Sequence, residues 1–187
     1  MLNDEQRAKL LAVARQSINA AVAAAEPPDT RTDDPDLLNV QGAFVTLKKH
    51  GELRGCVGNI EGVYPLIETV KKMAKAAALH DYRFPPAQPG EIEELTIEIS
   101  VMSPLMKVAD VEEIQVGRDG LVISSGMQRG LLLPQVPVEW GWDREEFLCH
   151  TCLKAGLPED AWRGDVLIER FEAEVFGETD AEEPASG

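Results

Sequence analysis

The sequence predicts an α+β fold: a largely antiparallel sheet packed with helices. Three observations predict it. In residues 95–102, Leu95, Ile97, Ile99 and Val101 alternate with Thr96, Glu98, Ser100 and Met102, the pattern of a strand with one buried face. Residues 3–25 and 143–155 carry apolar side chains at three- and four-residue steps behind capping-box residues, as amphipathic helices do. The other strand-like stretches follow one another through glycine turns without regular βαβ alternation, which favours hairpins over a parallel sheet.

Taken in order, Asn3 and Gln6 have capping-box spacing, and Leu11, Ala14, Ile18, Ala21, Val22 and Ala25 form the stripe of a helix that ends before Pro27-Pro28. Residues 26–39 are rich in proline and aspartate without periodicity and read as a long surface connection. A strand over 43–48, a turn at His50-Gly51 and a returning strand over 53–58 make a hairpin. Pro65 suits the first turn of a helix whose stripe includes Val70 and Ala77, with Lys71, Lys72 and Lys75 on its wet face. The proline-rich loop "DYRFPPAQPGE" leads into the strand at 95–102, which Pro104 ends. Residues 111–140 read as short strands punctuated by Gly117, Asp119-Gly120, Gly126 and Gly130, a smaller lobe. Asp143 and Glu146 cap a helix lined by Phe147, Leu148, Cys152 and Ala155 and stopped by Gly156. A last strand covers 166–176.

The composition restricts function. At 187 residues there is room for one domain over 1–177 carrying a smaller lobe. Lys and Arg number 18 against 33 acids, a net charge of -15 that would repel a phosphate backbone, so nucleic acid is not an expected partner. Glu178, Asp180, Glu182 and Glu183 make residues 178–187 an acidic, solvated tail. No stretch approaches the roughly 18 apolar residues of a membrane span. Three cysteines fit a reduced compartment, so a cytoplasmic location is expected.

The segment "HGELRGCVGNI" concentrates the candidate chemistry. On an extended strand Leu53 and Val57 share one face, expected toward the core, while Arg54, Cys56 and the space above Gly58 share the other. Arg54 is then near enough to bend over Cys56 and favour its thiolate. Gly55 and Gly58 would leave the sulfur unshielded and let a ligand approach the backbone N–H groups. The competing structural reading is a buried cysteine beside a bulge. Among the other candidates, "HDYRFPP" places Asp81 and Arg83 at a helix end; Arg83 becomes a fixed cation for a carboxylate or phosphate if the loop folds back over Cys56, and otherwise pairs on the surface. Glu98 lies on the non-core face of the best strand, as a surface residue or an acid or base. Cys149-His150-Thr151-Cys152 has CxxC spacing but lacks a second ligand pair, and Cys152 falls on the apolar helix face, so core packing is expected there. No P-loop, dinucleotide fingerprint or HExxH occurs, and no metal or cofactor is expected.

The hexapeptide Leu53-Arg54-Gly55-Cys56-Val57-Gly58 resembles the LRGCIG hallmark of the AMMECR domain family, and the likeness continues through "DYRFPP", "LTIEISVMSP", "GRDGLVI", "GLLLPQV", "FLCHTCLKAGLPEDAW" and "FEAEVFGE". The resemblance implies an α+β fold with a larger and a smaller lobe meeting at a cleft near the hexapeptide; Gln135, in the proline-containing "LLLPQVP" that reads as an exposed loop motif, is a further candidate binding residue. It does not fix a reaction. Bacterial and archaeal members resemble the A component of the AmmeMemoRadiSam system, which implies Memo-like and radical-SAM proteins as partners. Two functions are carried forward: an enzyme, or enzyme component, in which Cys56 and Arg54 act on a small anionic or carbonyl-containing molecule, and a non-catalytic module that binds a ligand or protein in the same cleft.

Overall fold

The computed structural model describes residues 1–178 and contains helices and antiparallel strands. The chain divides into two compact units, one of Met1–Met102 with the chain from Glu174 onward, the other of Ser103–Ala173. The second unit thus includes the glycine-punctuated 111–140 segment together with the helix and most of the strand that follow it.

In the first unit, helix α1 (Asp4–Val22) starts at the Asn3–Gln6 capping box. Its buried side is Gln6, Leu10, Val13, Ala14, Ser17 and Ile18; Ala14 and Ile18 belong to the expected stripe, and Leu11 and Val22 of that stripe pack, partly buried, against the same core. The two polar residues are tolerated there because both are satisfied: Gln6 Nε2 donates to Asp34 and Asp36, and the Ser17 hydroxyl donates to Val13 O at 2.6 Å. Within the expected connection lies a single-turn helix, α2 (Pro35–Leu38), with Asp34 as N-cap, proline at the first helical position, and a fully buried Leu37.

Strands β1 (Ala43–Lys49) and β2 (Glu52–Asn59) form the hairpin, turning at His50 and Gly51 with φ of 52° and 84°. Strand β3 (Leu95–Met102) pairs antiparallel with the other side of β1, so β2 lies at the edge of this sheet. Ala43, Val45, Leu47, Ile97 and Ile99 are buried against α1 and helix α3 (Leu66–Leu79) in one apolar cluster. The end of the chain closes the unit. Glu174 accepts hydrogen bonds from Leu2 N and Arg7. Glu178, grouped with the solvated tail by its sequence, is instead held, accepting from Ile97 N at 2.8 Å and from Arg15 Nε at 3.0 Å. The rest of that tail lies outside the described residues.

In the second unit, β4 (Met106–Lys107) pairs with β7 (Leu167–Gly177), and β5 (Asp119–Ser125) pairs with β7 on one side and β6 (Gln128–Leu132) on the other, all antiparallel. Helix α5 (Arg144–Lys154), capped by Asp143 and Glu146, packs Phe147, Leu148 and Cys152 onto Leu121, Ile123 and Ile168. Gly130 allows the helix end to come this near, since a Cβ there would lie 2.2 Å from Ala155 N. Residues 135–140, read from the sequence as part of a strand region, form helix α4 (Gln135–Trp140). Pro137 does not prevent it, because it occupies the first turn, where the missing N–H would have no partner in the helix. Among the described residues no helix is long and apolar enough to cross a membrane.

Candidate functional site

The hexapeptide lies on the edge strand, and its pairing with β1 is interrupted. Leu47 faces Gly55 but Lys48 faces Leu53, so Arg54 is an extra, bulged residue. The bulge breaks the strict alternation read from the sequence. Val57 packs against the core cluster as expected, but Leu53 does not and is 45% exposed. Arg54 does not reach over the sulfur. Its guanidinium forks onto Glu91, with Nη2 to Oε1 at 2.7 Å and Nε to Oε2 at 3.2 Å, and both side chains are largely buried. Burial works against the Glu91 charge, but Arg54, the Gln88 N–H and Lys49 outweigh it and hold its carboxyl below the usual range.

The two glycines also have packing partners. A Cβ on Gly55 would lie 2.3 Å from the carbonyl oxygen of Ala77 on α3. One on Gly58 would lie 2.4 Å from the ring of Phe44, its cross-strand partner. Glycine is therefore required for close approach of protein to protein at both sites.

The "DYRFPP" loop does fold back over Cys56. As an edge strand β2 directs the N–H and C=O of Cys56 away from β1. Asp81 Oδ2 accepts the Cys56 N–H at 2.8 Å, and Arg83 Nη2 donates to the Cys56 carbonyl oxygen at 3.2 Å. Arg83 also forks onto Asp81, at 2.9 and 2.7 Å. Asp81 is buried, and these donors, Arg83 first and then the N–H groups of Cys56 and Arg83, overcome its desolvation and drive its carboxyl far below the usual range. The backbone donor that the sequence offered to a ligand is therefore occupied. Phe84 sits between the two arginines, with the guanidinium carbons of Arg54 and Arg83 at 6.0 and 5.6 Å from its ring centre.

The Cys56 thiol is left on the face of the sheet opposite α1 and α3, half-exposed, with the Thr46 hydroxyl donating to Sγ at 3.2 Å. Thr46 is the cross-strand partner of Cys56 on one side and of Glu98 on the other, so the three form a row across β2, β1 and β3. Glu98 is paired with Lys48 at 2.8 Å. No histidine joins the row: His50 contacts Glu94 at 3.0 Å, His80 ends α3, and His150 stacks on Trp142 in the second unit. Gln135 is exposed at the start of α4 and belongs to the second unit. Cys152 is fully buried, as its helix position predicts, and burial pushes its thiol up. Among the described residues no group of three or more His, Cys, Asp or Glu is arranged to hold a metal.

The structure thus brings Cys56, Gly55, Asp81 and Arg83 together and puts Glu98 two strands away. Sequence reasoning missed Thr46 and Glu91. Alternation within the hairpin was the available signal for Thr46; nothing local pointed to Glu91, which is 37 residues from Arg54.

The AMMECR1 family model matches residues 11–176. The chain belongs to the AMMECR1 family. It is 48% identical to Protein TK0174 of Thermococcus kodakarensis over 95% of this chain and 92% of that one. It is 43% identical to a protein of Methanothermobacter thermautotrophicus over 95% and 96%. The crystal structure of uncharacterized protein PH0010 from Pyrococcus horikoshii superposes with a TM-score of 0.84 at 40% identity, covering 100% of this chain and 96% of that one. The α+β fold of the AMMECR1 chain is therefore also that of a solved relative.

Proposed function

We propose that this AMMECR1 protein is an enzyme component that binds a small anionic molecule containing a carbonyl group on the open face of β2 and β1, where the Cys56 thiolate adds to the carbonyl carbon. One observation carries the reading. Around Cys56, Arg54, Gly55, Val57 and Gly58 each have a structural partner, while Cys56 is only partly buried and its sulfur has a hydroxyl donor at 3.2 Å. In the step, the thiol proton goes to water, sulfur bonds to the carbonyl carbon, and the carbonyl oxygen takes the electron pair. Arg83, exposed beside Cys56 and raised in basicity by its fork onto Asp81, replaces Arg54 as the nearby cation. The Asp81–Arg83 clamp fixes the Cys56 backbone and so the direction of its thiol. The family resemblance supports Memo-like and radical-SAM proteins as the setting of this chemistry.

The test is alkylation by iodoacetamide resolved by peptide mass spectrometry, so that Cys56, Cys149 and Cys152 are followed separately in the intact protein. Cys56 should react about tenfold faster than glutathione, and Arg83→Gln should slow it while leaving Cys149 unchanged. Reaction no faster than glutathione would reject the nucleophile and leave Cys56 a packing residue of a binding module.

A further inference from the structure

The second unit holds an aromatic stack that the Cys56 site does not use. Trp142 stacks with Trp140, at 6.0 Å between ring centres and 19° between planes, and with His150, at 3.8 Å and 6°. The fold builds this stack from two elements. Gly141, with φ of 68°, turns the chain at the end of α4 and sends Trp140 and Trp142 to one side, and His150 rises from the second turn of α5 to meet them. The inner rings are half-buried, whereas Trp140 is 70% exposed. A tryptophan normally buries most of its large surface, so an exposed indole held rigid by a stacked neighbour is a preorganised contact that loses little entropy on binding.

The charges around the stack select what it can hold. Glu139 and Asp143 flank the two tryptophans in sequence, both are exposed, and neither forms an ion pair among the described residues, Asp143 keeping one oxygen free of its capping bond to the Glu146 N–H. The nearest base in sequence, Arg144, is already committed to Glu112 and to the carbonyl oxygen of Ile114. The chain as a whole carries -15. A phosphate-bearing ligand such as a nucleotide would meet repulsion here, while a cation gains from the carboxylates and from the negative face of the indole. A flat guanidinium can stack on the indole and present N–H groups at its edge to carboxylates, which an ammonium cannot do. We infer that the Trp140–Trp142–His150 stack is a docking platform for an arginine-bearing basic segment of a partner protein.

Isothermal titration of the intact protein at low salt with the capped hexapeptide Gly-Arg-Gly-Arg-Gly-Arg tests this, beside matched peptides with lysine or citrulline in place of arginine. The arginine peptide should bind, the lysine peptide about threefold more weakly, and the neutral citrulline peptide at least about tenfold more weakly. Trp140→Ala should cost about tenfold, Trp140→Phe less, and Glu139→Gln about threefold. Circular dichroism of the variants establishes that each is folded, as expected for changes at exposed positions. The inference is overturned if the arginine peptide does not bind, if its affinity is unchanged in Trp140→Ala, or if citrulline serves as well as arginine. It is equally overturned if adenosine, rather than the peptide, is the probe whose binding depends on Trp140.

Discussion

Asp81 in the first unit and Asp119 in the second are both buried carboxylates gripped by an arginine within two residues of them in sequence. Arg83 forks onto Asp81 at 2.9 and 2.7 Å, and Arg118 forks onto Asp119 at 2.8 and 2.7 Å. Each aspartate also accepts a backbone N–H at 2.8 Å, from Cys56 in one case and Gln115 in the other. For Asp119 burial opposes the charge, but Arg118, the Gln115 N–H and Arg170 prevail and keep its carboxyl below the usual range. The two carboxylates are thus shifted in the same direction by the same kinds of partner. They differ in what they hold. Asp119 is fully buried and ties β7, through Arg170, to the turn before β5. Asp81 ties a loop to the edge strand at Cys56, which is only partly buried. Each carboxylate therefore fixes one point of the chain, Asp119 between strands and Asp81 between a loop and the strand that carries Cys56.

Replacing each aspartate separates the two roles. Asp119→Asn should have the largest effect on stability, about 3 kcal/mol in denaturant unfolding, because it leaves Arg118 and Arg170 facing a site without its charge. The folded fraction of that variant should alkylate at Cys56 like the parent. Asp81→Asn should cost less, about 2 kcal/mol, since Arg83 is partly exposed and can turn to water. It should nevertheless alter Cys56 alkylation, and equal Cys56 rates in the two variants would abolish the distinction.

Acid sharpens the comparison further. Both carboxyls titrate lower in the folded chain than in the unfolded one, where aspartate titrates near about 3.9. Their stabilisation is therefore complete above that value and is lost as pH falls below it toward the folded values. The thermal midpoint should drop as the pH is lowered through about 4, and the drop should be shallower in either asparagine variant. The smallest effect belongs to Thr46→Val, which removes one hydroxyl donor from Sγ and should cost about 1 kcal/mol or less. Its alkylation rate at Cys56 should change while that at Cys149 stays the same. Identical Cys56 rates would deny the Thr46 contact any part in the thiol's reactivity.

Features written in short-range patterns were legible in the sequence. The capping boxes at Asn3 and Asp143, the alternation of 95–102 and the His50-Gly51 turn each depend on residues within a few positions of one another. Helix α2 escaped because its single turn is specified by Asp34, Pro35 and one buried leucine, too few residues for a period. Helix α4 escaped because two prolines and a run of β-branched and leucine residues imitate a strand boundary. The site was legible as a location, but the partners of its residues were not. The hexapeptide stood out, but the bulge at Arg54 redirects Leu53, and the partners of Arg54 and of the Cys56 N–H lie 37 and 25 residues away. Spacing along one strand carries no information about groups delivered from elsewhere to its open edge.

The first unit is discontinuous in sequence, with residues 103–173 placed between its main part and the stretch that begins at Glu174. On a ribosome, where the chain emerges from its N-terminus, the second unit is complete before Glu174 and Glu178 exist. Those two carboxylates secure the beginning of the chain, Leu2 and Arg7, together with Arg15 and the N–H of Ile97. During synthesis α1 can bond to Asp34 and Asp36 early, but its contacts to Glu174 and Glu178 must wait for the end of β7. A segment made before residues 103–173 is thus locked only after them, which gives the nascent chain an interval in which the first unit lacks its Glu174 and Glu178 contacts.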